Sequence, residues 1–265
     1  MRSLTGSFDQ VHDWLTLELS KAPVVHVGEW QAIRSDIPQA ETIEVEDVSF
    51  EIPIGTDLQS QIQPNLPWAE EHFQERVSGV PWNPPPSHVR WPFAQKDNLE
   101  HRKEDRFSHS YPERFWPTAR EIEGVPVSVV RTGIRFPYGD LDDLIDILRR
   151  NPGTRQAYLP VWFPEDLAAA ELGERVPCTL GYHFLIRNGR LKIVYYIRSC
   201  DFYRHFRDDV YMAARLGQWV SDQLEGVTAV KLVMHVSSLH IFEPEKVRID
   251  QEARDLLTQR MLKVR

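Results

Sequence analysis

The chain has 265 residues, 42% of them hydrophobic, which is enough for one sizeable α/β core. No apolar run approaches bilayer length, and the N-terminus MRSLTGSFDQVHDW has no apolar signal region. A formal net charge of −8 opposes broad nucleic-acid binding, so a cytoplasmic protein with neither membrane nor nucleic-acid partners is expected.

Two cysteines, Cys178 and Cys200, make no disulfide framework, and no CxxC or HExxH pattern marks a metal site. Phe8, Val11, Trp14, Leu15 and Leu17 fall at near-helical spacing and lead into the strand-like PVVHVGEW. TIEVEDVSFEIPIG alternates at Ile43, Val45, Val48, Phe50 and Ile52 and reads as two short strands or one bulged strand. Arg34, just before it, is either a solvated loop residue or a phosphate contact.

A helix is predicted from Pro67 or Trp68 to Val77, with Gly79 stopping it. Its Glu70, Glu71 and Glu75 read, on pattern alone, as solvated surface groups. From about 81 to 117 the prolines favour extended backbone, and the stretch reads as a surface excursion anchored by Trp82, Trp91, Phe115 and Trp116. His88, His101 and His109 lack metal-like spacing, and VRTGIRFPYGD lacks the spacing of a phosphate loop. Leu141, Leu144, Ile145 and Leu148 share a helix face that ends at Asn151-Pro152-Gly153. Arg155 then opens the predicted strand RQAYLPVWF, where Pro160 marks an edge or bulge.

The clearest local signal is a hairpin, TLGYHFLIR and RLKIVYYIR around Asn188-Gly189, the dipeptide that favours a type I′ turn. Cys178 and Arg198 sit at its two open ends, so antiparallel pairing makes a thiol and a guanidinium neighbours, which can stabilise a thiolate. Taken alone, the thiol would be read as a small buried hydrophobe. DDVYMAARLGQWVSDQL follows as a helix, AVKLVMHVSSLHIF as a strand pair or a bent strand, and EARDLLTQRMLKVR as a terminal helix. With no repeat and no composition shift, residues 1–265 are expected to form one domain.

Pro177-Cys178 entering the hairpin, Arg198-Ser199-Cys200-Asp201 leaving it and Ser238-Leu239-His240 near the end resemble the thymidylate synthase family in order and spacing. Asn151 to Arg155, Tyr111 with Trp116, and TIEV at Thr42 match less specifically. Within the family the chain is most similar to the phage deoxycytidylate hydroxymethylase branch. The resemblance implies a three-layer α/β fold around a large mixed sheet, and a homodimer in which Arg155 reaches the partner's phosphate site.

It also implies that Cys178 attacks C6 of a pyrimidine while Arg198 and Ser199 hold the nucleotide phosphate. C5 then takes a one-carbon unit from methylenetetrahydrofolate, whose pterin meets Asp201, and no metal is involved. Asp201 has an alternative structural role as a helix cap. His240 would bind the sugar, and Tyr111 belongs to the catalytic set. Counting back from Tyr111 places the general acid/base glutamate at Glu75, with Glu71 as the alternative.

The selector is Asp209, eleven residues after Arg198, where thymidylate synthases carry an asparagine. A carboxylate accepts from the cytosine N4 amino group and from a protonated N3 in the adduct, but faces uracil O4 with repulsion. Its alternative is an acidic helix start shared with Asp208. Four departures from the family stand out. Gln156 replaces a second arginine, so either phosphate binding is weaker or Arg34, Arg149 or Arg150 completes the phosphate site. Thr179 replaces the histidine after the cysteine, Phe242 replaces the tyrosine that helps hold the sugar, and Pro112 replaces a glycine. Without that tyrosine, the ribonucleotide CMP is an alternative to dCMP as the substrate. The expected reaction is 5-hydroxymethylation of a cytidylate. The alternatives are reductive methylation of dUMP or dCMP, and a non-catalytic nucleotide-binding protein.

Overall fold

The computed structural model describes residues 2–26, 41–92, 102–103, 106–117, 120–122, 125–127, 139–172 and 174–263. Arg34, His101 and nearly all of VRTGIRFPYGD lie outside the described residues. In chain order the elements are β1 (Arg2–Thr5), α1 (Phe8–Lys21), β2 (Val24–His26), β3 (Glu41–Pro53), α2 (Leu58–Ile62), α3 (Trp68–Arg76) and a 3₁₀ turn over Pro86–Arg90. Then come β4 (Arg102–Lys103), β5 (Arg106–Phe107), α4 (Tyr111–Phe115), β6 (Arg120–Ile122), β7 (Val125–Val127), α5 (Leu141–Arg150), β8 (Tyr158–Pro160) and α6 (Asp166–Glu171). The last third holds β9 (Thr179–Arg187), β10 (Arg190–Asp201), α7 (Phe206–Asp222), β11 (Thr228–Phe242) and α8 (Lys246–Lys263).

A mixed sheet of seven strands runs β1-β3-β11-β10-β9-β8, with β2 added against β3. Two short hairpins, β4-β5 and β6-β7, stand apart from it. The central pair β10 and β11 is parallel, and α7, which connects them, packs on both. Ser199 lies opposite Ser238 and Asp201 opposite His240, so both motifs reach the C-terminal ends of parallel strands, where α/β sheets commonly place ligands.

The hairpin forms as the Asn-Gly dipeptide dictates. Asn188 and Gly189 take φ of 53° and 69°, and Arg187 pairs with Arg190 across them. At the sheet edge Gly181 pairs with Pro160, and a methyl group on it would sit 2.3 Å from the Tyr158 hydroxyl, so a side chain there would push β8 away.

For TIEVEDVSFEIP and for the segment before α8 the single-strand alternatives hold: β3 is one strand with Asp47 in the left-handed region at φ 54°, and β11 is one strand of 15 residues. Other expectations need correcting. The predicted strand RQAYLPVWF shrinks to Tyr158–Pro160, so Arg155 precedes it; Pro160 has no N–H for a ladder. Helix α7 begins two residues earlier than expected and α8 six earlier, at Lys246.

The excursion is not confined to the surface. Phe115 and Trp116 are buried, whereas the Trp82 side chain is exposed. The Ser110 hydroxyl and the Glu113 carboxylate cap α4 reciprocally, and Arg114 donates two bonds, of 2.9 and 2.8 Å, to the buried Asp166. Those contacts pin Tyr111 against the sheet. No helix among the described residues is long and apolar enough to cross a membrane.

Candidate active site

Cys178 sits one residue before β9, partly exposed. The Arg198 backbone N–H donates to the Cys178 carbonyl at 2.9 Å, and its guanidinium donates to the carbonyls of Pro177 (2.9 Å) and Val176 (3.1 Å). Arg198 therefore latches the Pro-Cys segment onto β10. Burial pushes the thiol above its usual pKa; Arg198 and Arg175 pull it down, while Asp209 and Asp201 push it up. The expected help from Arg198 is present in direction but outweighed, so the resting group is a thiol rather than a thiolate.

Beside it lies a cluster of hydroxyls. Thr179 donates to the Tyr111 hydroxyl at 3.3 Å and accepts from the Tyr195 hydroxyl at 2.9 Å, while Tyr182 stacks on Tyr195 with centroids 4.7 Å apart. Burial raises the Tyr111 pKa, helped by Cys178 and Asp209, so the phenol stays protonated and available as a donor. Over the Tyr111 ring lies Arg76, its guanidinium carbon 4.0 Å from the centroid. Arg76 is only 4% exposed, and among the described residues its Nε has no hydrogen-bond partner.

Asp209 lies in the first turn of α7 and faces this cluster. Its carboxylate accepts from the Cys200 thiol at 3.6 Å. Burial pushes its pKa up to about 7, against the pull of Arg76. Asp208 is different: it accepts from the backbone and side-chain nitrogens of Asn65, both at 2.8 Å, and so pins the loop before α3. The acidic helix start thus divides into one structural residue and one that faces the site.

At the strand ends, Asp201 accepts from the backbone N–H groups of Tyr203 and Arg204, both at 3.0 Å, and from the Arg204 guanidinium at 2.9 Å. A carboxylate offers about four acceptor positions, so these bonds leave one for a ligand. Ser199 is half-buried next to it. His240 is buried at the end of β11, and Phe242 lies edge-on to it and under the Arg204 guanidinium. Arg155 is exposed, and its carbonyl accepts from His183 Nε2 at 3.0 Å.

The two glutamates differ in setting. Glu71 pairs with Arg90 on the surface, and its side chain is 35% exposed. Glu75, at 13%, accepts from the Ser87 backbone N–H (2.6 Å), the Ser87 hydroxyl (2.6 Å) and His72 Nδ1 (3.1 Å). Burial pushes its carboxyl up, but these bonds outweigh that and hold it below the usual range. His72 lies edge-on to Tyr111 with centroids 6.4 Å apart, which puts Glu75 one ring away from the Cys178 neighbourhood.

The structure therefore gathers Cys178, Tyr111, Arg198 and Asp209, lines Ser199, Asp201 and His240 along the strand ends, and leaves Arg155 outside. Sequence reasoning missed Arg76, His72 and Ser87. His72 and Glu75 share a helix face at i, i+3, a usable signal; an arginine in a polar helix and a serine among prolines give none.

The thymidylate synthase family model matches residues 120–262, more than half of the chain. The chain is 30% identical over 116 residues to a thymidylate synthase of Sphingopyxis alaskensis, covering 43% of this chain and 36% of that one. A protein of Methanothermobacter thermautotrophicus that carries the same name provisionally is 28% identical over 170 residues, 58% of this chain and 74% of its own. A bifunctional dihydrofolate reductase-thymidylate synthase of Paramecium tetraurelia is 28% identical over 104 residues, 39% of this chain and 21% of its own.

Proposed function

Because the chain belongs to the thymidylate synthase family, we propose that it transfers a one-carbon unit from methylenetetrahydrofolate to C5 of a cytidylate. The product is 5-hydroxymethyl-(d)CMP, formed through a covalent Cys178–C6 adduct. The observation that carries this reading is Asp209, an acidic side chain facing the thiol's surroundings in a largely desolvated setting.

As the thiol adds, it gives up its proton to a base in the site, the S–C6 bond forms and the C5=C6 π pair shifts onto C5, so C5 becomes the carbon nucleophile. Once C5 has bonded the one-carbon unit it loses its own proton, water takes the place of tetrahydrofolate on that carbon, and the S–C6 bond breaks to free the thiol. Bound methylenetetrahydrofolate supplies the electrophilic carbon. This chain's residues orient and move protons. Arg198 keeps the Pro-Cys segment in place, and with Ser199 it holds the phosphate of the nucleotide. Glu75 acts as general acid/base, an assignment supported by its half-buried, anionic setting against the surface pairing of Glu71. Tyr111 donates into the site. The acceptor position left on Asp201 suits a pterin N–H, and His240 faces the sugar. Arg155 serves the partner's phosphate in a homodimer.

Asp209 accepts from the cytosine N4 amino group, which uracil lacks. A site whose buried polar group is left unpaired against the wrong base can discriminate by about 10⁴-fold. Asp209→Asn supplies an amide able to donate to O4, so the variant is expected to lose cytidylate turnover and gain uridylate turnover. An unchanged preference would sink the selector role. The second reading, reductive methylation, is favoured by the names of the relatives, all thymidylate synthases. There hydride from tetrahydrofolate reaches the exocyclic carbon before water does.

A further inference from the structure

We infer that Ser87 and His72 are positioning residues for Glu75: the proline-rich stretch before Trp91 delivers a buried hydroxyl and an amide onto one carboxylate and fixes how it faces the reacting pyrimidine. This rests on Glu75 being the general acid/base. Ser87 is fully buried, yet it makes no cap in its own turn. Both of its polar groups go to Glu75 instead, the N–H to Oε1 and the hydroxyl to Oε2, each at 2.6 Å. A carboxylate gripped through both oxygens by one residue cannot turn about its terminal torsion without breaking two bonds in a buried place.

His72 closes the grip from the helix side. It donates from Nδ1 to Oε2 at 3.1 Å, and the Ser87 hydroxyl lies 3.4 Å from the same nitrogen. The imidazole stacks on Trp68 at 5.2 Å and stands edge-on to Tyr111 at 6.4 Å, so its ring is fixed in plane. Burial, with Arg76 nearby, lowers its pKa to about 4, so at neutral pH it is an uncharged donor. Neutral donors orient the carboxylate without cancelling its charge, which leaves it able to accept a proton from substrate or water. The proline-rich segment, which the sequence reads as a surface excursion, acquires a function in this way.

A purely structural role, in which Glu75 pins the loop, predicts a lower melting temperature and unchanged kinetics. Positioning predicts a kinetic change. For Ser87→Ala the expected result is a fall in kcat of about 10-fold or more with KM nearly unchanged. The acid limb of kcat/KM should also move to higher pH, because a lost donor raises the Glu75 pKa. Ser87→Thr, which restores the hydroxyl, should recover most of the rate. His72→Leu should act like Ser87→Ala, and His72→Gln, which keeps a donor, should be milder. C5 tritium release from labelled cytidylate reads all of these alongside thermal melts. An inactive Glu75→Gln together with a wild-type rate and acid limb in Ser87→Ala and His72→Leu would overturn the inference alone. Near-normal turnover in Glu75→Gln would remove the glutamate assignment and this inference with it.

Discussion

Asp209 titrates in the range where enzymes are assayed, because burial outweighs the pull of Arg76. The groups that interact electrostatically with it are Arg76 on α3, Asp208 on its own helix, Cys200 and Asp201 on β10, Cys178, and the phenols Tyr111, Tyr182 and Tyr195. Below about pH 7 the protonated acid can donate, which suits uracil O4; above it the carboxylate only accepts, which suits cytosine N4. The ratio of kcat/KM for cytidylate over uridylate is therefore expected to rise as pH increases through about 7 and to level off above it. A flat ratio would contradict the titration.

Much of this residue set was legible beforehand. Cys178, Arg198 and Asp209 stand at fixed offsets around a hairpin whose turn residues admit one register. Arg76 was not legible, since what marks it is an unpaired Nε in a buried place, and burial of that kind appears only once α3 and α4 are packed.

Among the elements, α4 matters most to the site because it carries Tyr111. Its tie is the Arg114–Asp166 pair, with both side chains less than a tenth exposed. Breaking a buried pair by removing one partner costs about 3–5 kcal/mol, since the other charge is left desolvated. Asp166→Ala is expected to lower stability by that order and to weaken substrate binding as Tyr111 shifts. Replacing both partners with apolar residues should cost less. Denaturant titration of the two variants tests this, and equal losses would mean the pair's burial is not what matters.

The same helix explains where sequence reasoning failed. Prolines at 81, 84, 85 and 86 suggested a surface path, but the capping box at Ser110 and the distant Asp166 draw the later part inward. Helix α5 and the β9-β10 hairpin were predicted correctly because their periodicity and turn chemistry are local. The pattern of β11 left a strand pair and one bent strand open, and pairing on both sides, with β10 and β3, makes it one strand of 15 residues.

At the scale of the whole molecule, helices α1 and α7 pack on the sheet. Tyr196 and His235 stack at 5.2 Å, beside a Tyr158 that is 43% exposed. In the proposed dimer, the exposed Arg155 suits donation to a neighbour. Mixing inactive Cys178→Ala subunits with inactive Arg155→Ala subunits is then expected to restore part of the activity, because a mixed dimer contains one site with neither substitution. No recovery, with subunit exchange verified, would place Arg155 within its own chain's site or outside any site.

Product identity distinguishes hydroxymethylation from methylation at this site. The protein is incubated with methylenetetrahydrofolate and dCMP, CMP or dUMP, and both the nucleotide and the folate products are weighed. The expected products are a cytidylate carrying one hydroxymethyl group in place of hydrogen, and tetrahydrofolate. A methylated nucleotide accompanied by dihydrofolate would contradict hydroxymethylation.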